Sequence, residues 1–283
     1  MQRVAFLSSL GALAVAPSGA PVRVMATTAT LASLLSAVAG SRAAVSSLVP
    51  VAASPDTYQP TPTDIARLKS SRLLVANGAG LEEWLAHTIA AAASPNLIRV
   101  VCTDGLPVAG GNPHLWMDPE FARVYVAKMR DGLIAADPAG ADGYRARAAA
   151  YDRQLVALVA RIREKIATIP PQNREMLVFH DAWSYYNKRF GLRTLGVIET
   201  SPGREPNPAD LARLVDLAKT HHVRAVFTEP EYNPKLMQTL AKSAGIAKIA
   251  VLYDDSLGVV PQVHDYVSML DYDTDTIVAG LKG

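Results

Sequence analysis

The sequence contains one cysteine, Cys102, among 283 residues. No disulfide can form within the chain, and a zinc site built on thiolates is excluded. A surplus of charge of one sign is also missing. Lys and Arg number 28 against 26 Asp and Glu, and the basic residues are scattered rather than clustered. Neither nucleic acid nor an anionic membrane surface is therefore expected as a partner. Past the first twenty residues, no apolar run reaches the roughly 18 residues of a membrane span. The strings HExxH, G-x-S-x-G, G-x-x-x-x-G-K-[ST] and G-x-G-x-x-G do not occur, which removes the commonest hydrolase and nucleotide-binding signatures. Gly78-Ala-Gly80 follows a strand pattern but lacks the third glycine and reads as a turn. Cys102 itself closes an apolar run and reads as a buried bystander.

What is present begins with a leader. One basic residue, Arg3, precedes the apolar stretch Val4 to Ala16 and the small residues Ser18-Gly-Ala20. This is the layout of a cleaved secretory signal, expected over residues 1–20. Its removal takes Arg3 from a net charge of +2 and leaves +1. No cysteine follows the cleavage point closely, so the expected product is periplasmic or secreted, without a lipid anchor.

The rest alternates short β-like runs with helical ones. Strands are expected at Val22–Ala26, Ala43–Val49, Leu73–Ala76 and Leu97–Cys102, with helices at Thr28–Ala39, Pro62–Ser70 and Leu81–Ala92. The rhythm returns with strands at Glu175–Phe179, Arg193–Val197, Arg224–Thr228 and Lys248–Leu252. Helices are expected at Trp183–Arg189, Pro208–His221 and Pro234–Ala244. Between the two series, Tyr144, Ala148, Tyr151, Leu155, Leu158, Ile162 and Ile166 fall three and four apart, up to the stop at Pro170-Pro171. That spacing predicts one amphipathic helix over 142–168. The expected fold is α/β, with two lobes (21–141 and 169–283), each a mostly parallel sheet flanked by helices, joined by that long rigid helix.

Six histidines remain after the leader. His114 lies in Asn112-Pro-His-Leu-Trp-Met-Asp-Pro119, a loop stiffened by proline at both ends. His180 ends one strand, and Asp255 follows another, in the position beyond strand carboxyl ends where α/β folds gather ligands. Asp56 occupies the loop before the Pro62 helix. Two imidazoles and two carboxylates on loops of both lobes suit a divalent ion. His221 and His222 end a helix and read as caps, and neither His87 nor His264 has a motif around it.

The strings Thr57-Tyr-Gln-Pro-Thr-Pro-Thr-Asp64, Asn112-Pro-His-Leu-Trp-Met-Asp-Pro119, His180-Asp-Ala-Trp183, Phe227-Thr-Glu-Pro230 and Asp254-Asp-Ser-Leu257 together resemble the zinc and manganese solute-binding proteins of ABC importers. The resemblance implies a non-enzymatic monomer that binds one zinc or manganese ion, with iron(II) as a further candidate, and passes it to a membrane permease. It implies His114, His180 and Asp255 as ligands. The family's first ligand, usually histidine, falls on Asp56, which leaves either a site of two histidines and two aspartates or a three-ligand site completed by water. Glu229 matches an interlobe glutamate expected to support a ligand, and Trp116 and Trp183 are expected to pack the site and keep it dry. The histidine-rich loop of some zinc members is absent, since Asp104–Gly111 is short and has no histidine. A secreted metallohydrolase, with Glu229 as general base, would use the same residues. Both imidazoles must be neutral to bind, so affinity is expected to fall between about pH 7 and 5.

Overall fold

A computed structural model describes residues 20–199, 203 and 206–283. The expected signal segment falls on residues 1–20 and so lies almost wholly outside the described residues. The chain runs β1 (Val22–Ala26), α1 (Ala29–Ala39), β2 (Ala43–Ser47), α2 (Pro62–Lys69), β3 (Leu73–Ala76), α3 (Leu85–Ala92) and β4 (Ile98–Val101). Then come α4 (Pro119–Ala136), α5 (Ala141–Ala167), β5 (Glu175–Val178), α6 (Ser184–Phe190), β6 (Arg193–Val197), α7 (Pro208–Thr220), β7 (Ala225–Thr228), α8 (Lys235–Ala244), β8 (Lys248–Val251) and α9 (Tyr266–Leu281).

The strands form two four-stranded sheets, ordered β2-β1-β3-β4 and β6-β5-β7-β8, in which every pairing is parallel. β1 and β5 pair on both sides, so each sheet changes direction of winding there, and all strand carboxyl ends of a sheet point the same way. Helices cover both faces, which explains why β3 reads Leu-Leu-Val-Ala with every side chain buried.

One departure from the expected elements has a local cause. The helix expected from Leu81 begins four residues later. Gly78, Ala79 and Gly80 all take positive φ, and the Glu82 carboxylate turns back to accept the backbone N–H groups of Asn77 and Gly78 and the Thr27 hydroxyl. Glu82 is thus used to satisfy the turn, and helical hydrogen bonding starts only beyond it.

α5 has the predicted register. Tyr144, Ala148, Tyr151, Leu155, Leu158, Ile162 and Ile166 are all buried along one stripe. Its 27 residues give a length of about 40 Å at roughly 1.5 Å per residue. That stripe belongs to one continuous core that includes Val24, Leu34, Tyr125 and Met129 from the first half and Val178, Phe227, Tyr266 and Ile277 from the second. Only the outer layers have cores of their own. α2 and α3 pack through Leu68 and Leu85 onto Met25 and Leu74, and α7 and α8 pack through Leu214 and Leu240 onto Leu177 and Val226. None of the helices described is long and apolar enough to cross a membrane.

Candidate metal centre

His114 sits in a loop whose geometry is set by its neighbours. Leu115–Met117 forms a 3-10 turn, and Asp118 caps α4 by accepting the Glu120 N–H, with Pro119 at the first helical position. The Asn112 side-chain oxygen lies 3.0 Å from both the backbone N and Nδ1 of His114. An amide oxygen can only accept, so Nδ1 carries the proton and Nε2 is left with a free lone pair. The Asn112 amide is itself oriented by donating to the Asp181 carbonyl, 2.6 Å away.

His180 lies two residues past β5. Its Nδ1 is 2.5 Å from Oε2 of Glu229, the residue that follows β7. Its Nε2 faces the other way, 3.3 Å from Nε2 of His114 and 3.2 Å from Oδ2 of Asp254. Asp254 and Asp255 come from the loop after β8, where the chain bends. One donor atom each from His114, His180, Asp254 and Asp255 lies within 4.8 Å of the others, and all four residues are buried. Donors bound at roughly 2.0–2.1 Å to a tetrahedral ion stand about 3.3 Å apart, so the separations at His180 are those between ligands of one first-row ion. The buried oxygens point the same way: neither Asp254 oxygen nor Asp255 Oδ1 has a hydrogen-bond partner. Polar atoms left in this state inside a protein are costly, and a cation would satisfy them.

Of the four site residues expected from the sequence, the structure therefore brings together His114, His180 and Asp255. Asp56 stands apart from this cluster. It lines the same cleft, a space of about 320 Å³ shared with His114, His180, Glu199 and Tyr232. Burial raises the Asp56 pKa and the His180 charge opposes that rise. Asp254 was not anticipated. Its signal is the Asp-Asp doublet directly after a strand, where adjacent side chains of an extended segment would point to opposite sides. Trp116 is buried with its ring 5.0 Å from that of His114, and its indole donates to the Asp254 carbonyl. Trp183 is wholly buried. His221 is remote from the centre, capping α7 and facing Glu175 at 2.9 Å. A larger cavity of about 680 Å³ lies next door, between Pro107–Asn112 and α6, but its Arg189 and Asp118 are already paired with each other.

The electrostatics separate the two histidines. Burial, and then the neighbouring His180, push the His114 pKa well below its ordinary value. Burial alone would do the same to His180, but Glu229, Asp254 and Asp255 outweigh it and hold its pKa well above. Burial raises Glu229 and Asp255, and it lifts Asp254 and the neighbouring Glu231 to about 7. The ion-free centre therefore holds His180 as an imidazolium between carboxylates, with His114 neutral, and an arriving cation takes over the charge that the proton supplied.

The manganese-binding lipoprotein MntA of Halalkalibacterium halodurans is 31% identical over 269 residues, which cover 93% of this chain and 90% of the relative. The metal ABC transporter substrate-binding lipoprotein FimA of Streptococcus parasanguinis is 27% identical over 276 residues, or 92% of this chain and 89% of the relative. Among solved structures, the periplasmic zinc-binding protein TroA of Treponema pallidum superposes with a TM-score of 0.86 over 93% of this chain and all of its own, at 23% identity, which establishes the fold. Residues 24–280 match the family model described as zinc-uptake complex component A, periplasmic, and the chain belongs to that family.

Proposed function

We propose that the protein captures one divalent transition-metal ion in the cleft between its two sheets and delivers it to the membrane permease of an ABC importer. His114, His180 and Asp255 are assigned as ligands, with Glu229 holding His180 from behind and Trp116 and Trp183 closing the site to water. The observation that carries this reading is the meeting of Nε2 of both histidines with buried, unpartnered carboxylates at separations suited to one ion. The family is one of solute-binding proteins rather than enzymes, so the Glu229 carboxylate orients a ligand and no hydrolytic water is needed. The ion is zinc, manganese or iron(II), since imidazole and carboxylate donors suit all three. Residues 21–141 and 169–283 serve as the two lobes and 142–168 as the spine between them, in a protein that acts as a monomer. The protein works outside the cytoplasmic membrane, and lipid attachment is a separate matter, since the Halalkalibacterium relative is named a lipoprotein while Cys102 here is buried. The intact mass of protein recovered from its native host decides that point. For the function itself, chelator-stripped protein titrated calorimetrically with zinc and with manganese should bind one equivalent tightly. Absence of binding, or two equivalents of similar affinity, refutes the proposal.

A further inference from the structure

We infer that Asp254 coordinates the ion directly beside Asp255, so that one bent loop supplies a pair of carboxylates opposite the two histidines while Asp56 remains outside the coordination sphere. This inference rests on the proposed metal-binding function and concerns which residues carry it. Asp254 is 0% exposed, and neither carboxylate oxygen accepts a hydrogen bond. Buried carboxylates elsewhere among the described residues accept at least one hydrogen bond, as Asp273 does from the Tyr253 N–H. Asp118 is paired with Arg189, Asp64 accepts from Thr61 and Tyr58, and Glu82 accepts two backbone N–H groups and a hydroxyl. Glu231 also lacks partners at both oxygens, but it is not among the residues whose donor atoms converge with the imidazole nitrogens. Asp254 does converge with them, its Oδ2 standing 3.2 Å from His180 Nε2.

Two adjacent side chains reach one point because the chain bends at Asp254 and Asp255. The bend is fixed from the other lobe, since the Asp254 carbonyl accepts both the Thr30 hydroxyl and the Trp116 indole N–H at 3.0 Å. Two neutral imidazoles with two carboxylates match the charge of a divalent ion at contact distance. A third coordinated carboxylate would leave excess negative charge in a buried site, whereas Asp56 is only partly buried and is not among the converging donors.

The test compares Asp254→Asn and the near-isosteric Asp254→Leu with the natural protein, measuring manganese and zinc affinity by chelator competition and the melting temperature of the ion-free form. Loss of manganese affinity should exceed the roughly 100-fold that marks the upper range for groups that only orient a ligand. Zinc should lose less, because imidazole contributes more of its binding. Ion-free melting should stay close to that of the natural protein in both variants, because His180 keeps its bond to Glu229 when the Asp254 carboxylate beside it is removed. Affinities within threefold of the natural protein in both variants would overturn the inference while leaving the metal-binding function intact. A fall in ion-free melting temperature would assign Asp254 a structural role and overturn it equally. If the natural protein binds neither ion, the functional proposal itself has failed, which is a separate outcome.

Discussion

Replacing Glu229 by Gln keeps the shape of the side chain and an oxygen that can accept the His180 Nδ1–H, but removes the charge 2.5 Å away. Two effects of opposite sign follow. The imidazole loses the carboxylate that makes it a stronger donor to the ion, and changes of this kind cost about 10–100-fold in affinity, or roughly 1.4–2.8 kcal/mol. The same substitution removes the leading group that holds the His180 pKa up against burial, so the proton competes less well with the ion. Each unit by which that pKa falls returns up to about tenfold in affinity at pH values below it. The proton no longer competes above the His180 pKa, so the full loss is seen only in alkaline solution. The Gln variant should therefore bind about 10–100-fold more weakly at pH 9, with the gap narrowing steadily as pH is lowered to 6. Competition against a chromophoric chelator, across buffers of constant ionic strength, measures both limbs. Equal affinity at pH 9, or a gap that widens toward acid, would refute the view that Glu229 acts through the charge state and basicity of His180.

His114→Ala and His180→Ala should each weaken binding well beyond 100-fold, whereas His221→Ala, on the surface against Glu175, should leave it unchanged when measured by the same competition. Because carboxylates hold the His180 pKa well above its ordinary value of 6.5 while that of His114 lies well below, affinity should still be rising with pH beyond that ordinary value. A plateau reached by pH 7 would contradict this charge assignment. Asp56→Ala should cost less than tenfold in zinc and manganese affinity at equilibrium, and titration of that variant beside Asp254→Asn decides which carboxylate is the ligand. Saturating ion at 100 times its dissociation constant should add about 2.7 kcal/mol to unfolding stability, visible as a raised melting temperature that chelator reverses.

The elements were legible in the sequence because each obeys a local rule. The buried stripe of α5 repeats at three and four residues, α2 opens with Thr61 and Pro62 and closes a capping box on Asp64, and the strands are short apolar runs between turn residues. Boundaries slipped where a side chain was used for something other than its own helix, as Glu82 is. The candidate ligands were legible to the same degree. His114, His180 and Asp255 stand at strand or helix ends, where position alone suggests a site. Asp254 was hidden because its direction depends on a bend held by Thr30 and Trp116, 224 and 138 residues away in the chain. Asp56 differs from these residues in where its loop places it. Its string aligns well with the family's, and its carboxylate lines the same cleft as His114 and His180 without joining the four converging donors. The lowered pKa of His114 and the raised one of His180 could not be read from local sequence either, since both depend on which carboxylates fold against which ring.

The bonds across the cleft constrain how an ion can enter and leave. The loop after β8 belongs by sequence to the second half but is held by the first. Its Asp254 carbonyl accepts from Thr30 and Trp116, and its Ser256 hydroxyl accepts the N–H of Ala52, a residue held at positive φ. The start of α9 is tied in the same direction, with the Tyr266 N–H donating to Ser33 and its hydroxyl donating to the Trp116 carbonyl. Separating the two halves as rigid bodies would leave these groups to find new partners, at about 1–3 kcal/mol for each one that stayed buried and unpaired, and would open the core shared along α5. His180 and Glu229 are different: they are bonded to each other within the second sheet, and His180 meets the loop only through the nitrogen that the ion would occupy. Charge repulsion among Asp254, Asp255 and Glu229 is opposed in the ion-free state by the His180 proton, and in the filled state it would be opposed by the metal. The centre can thus exchange one cation for another with the interlobe bonds intact, and the pH dependence of binding is the direct measure of that exchange.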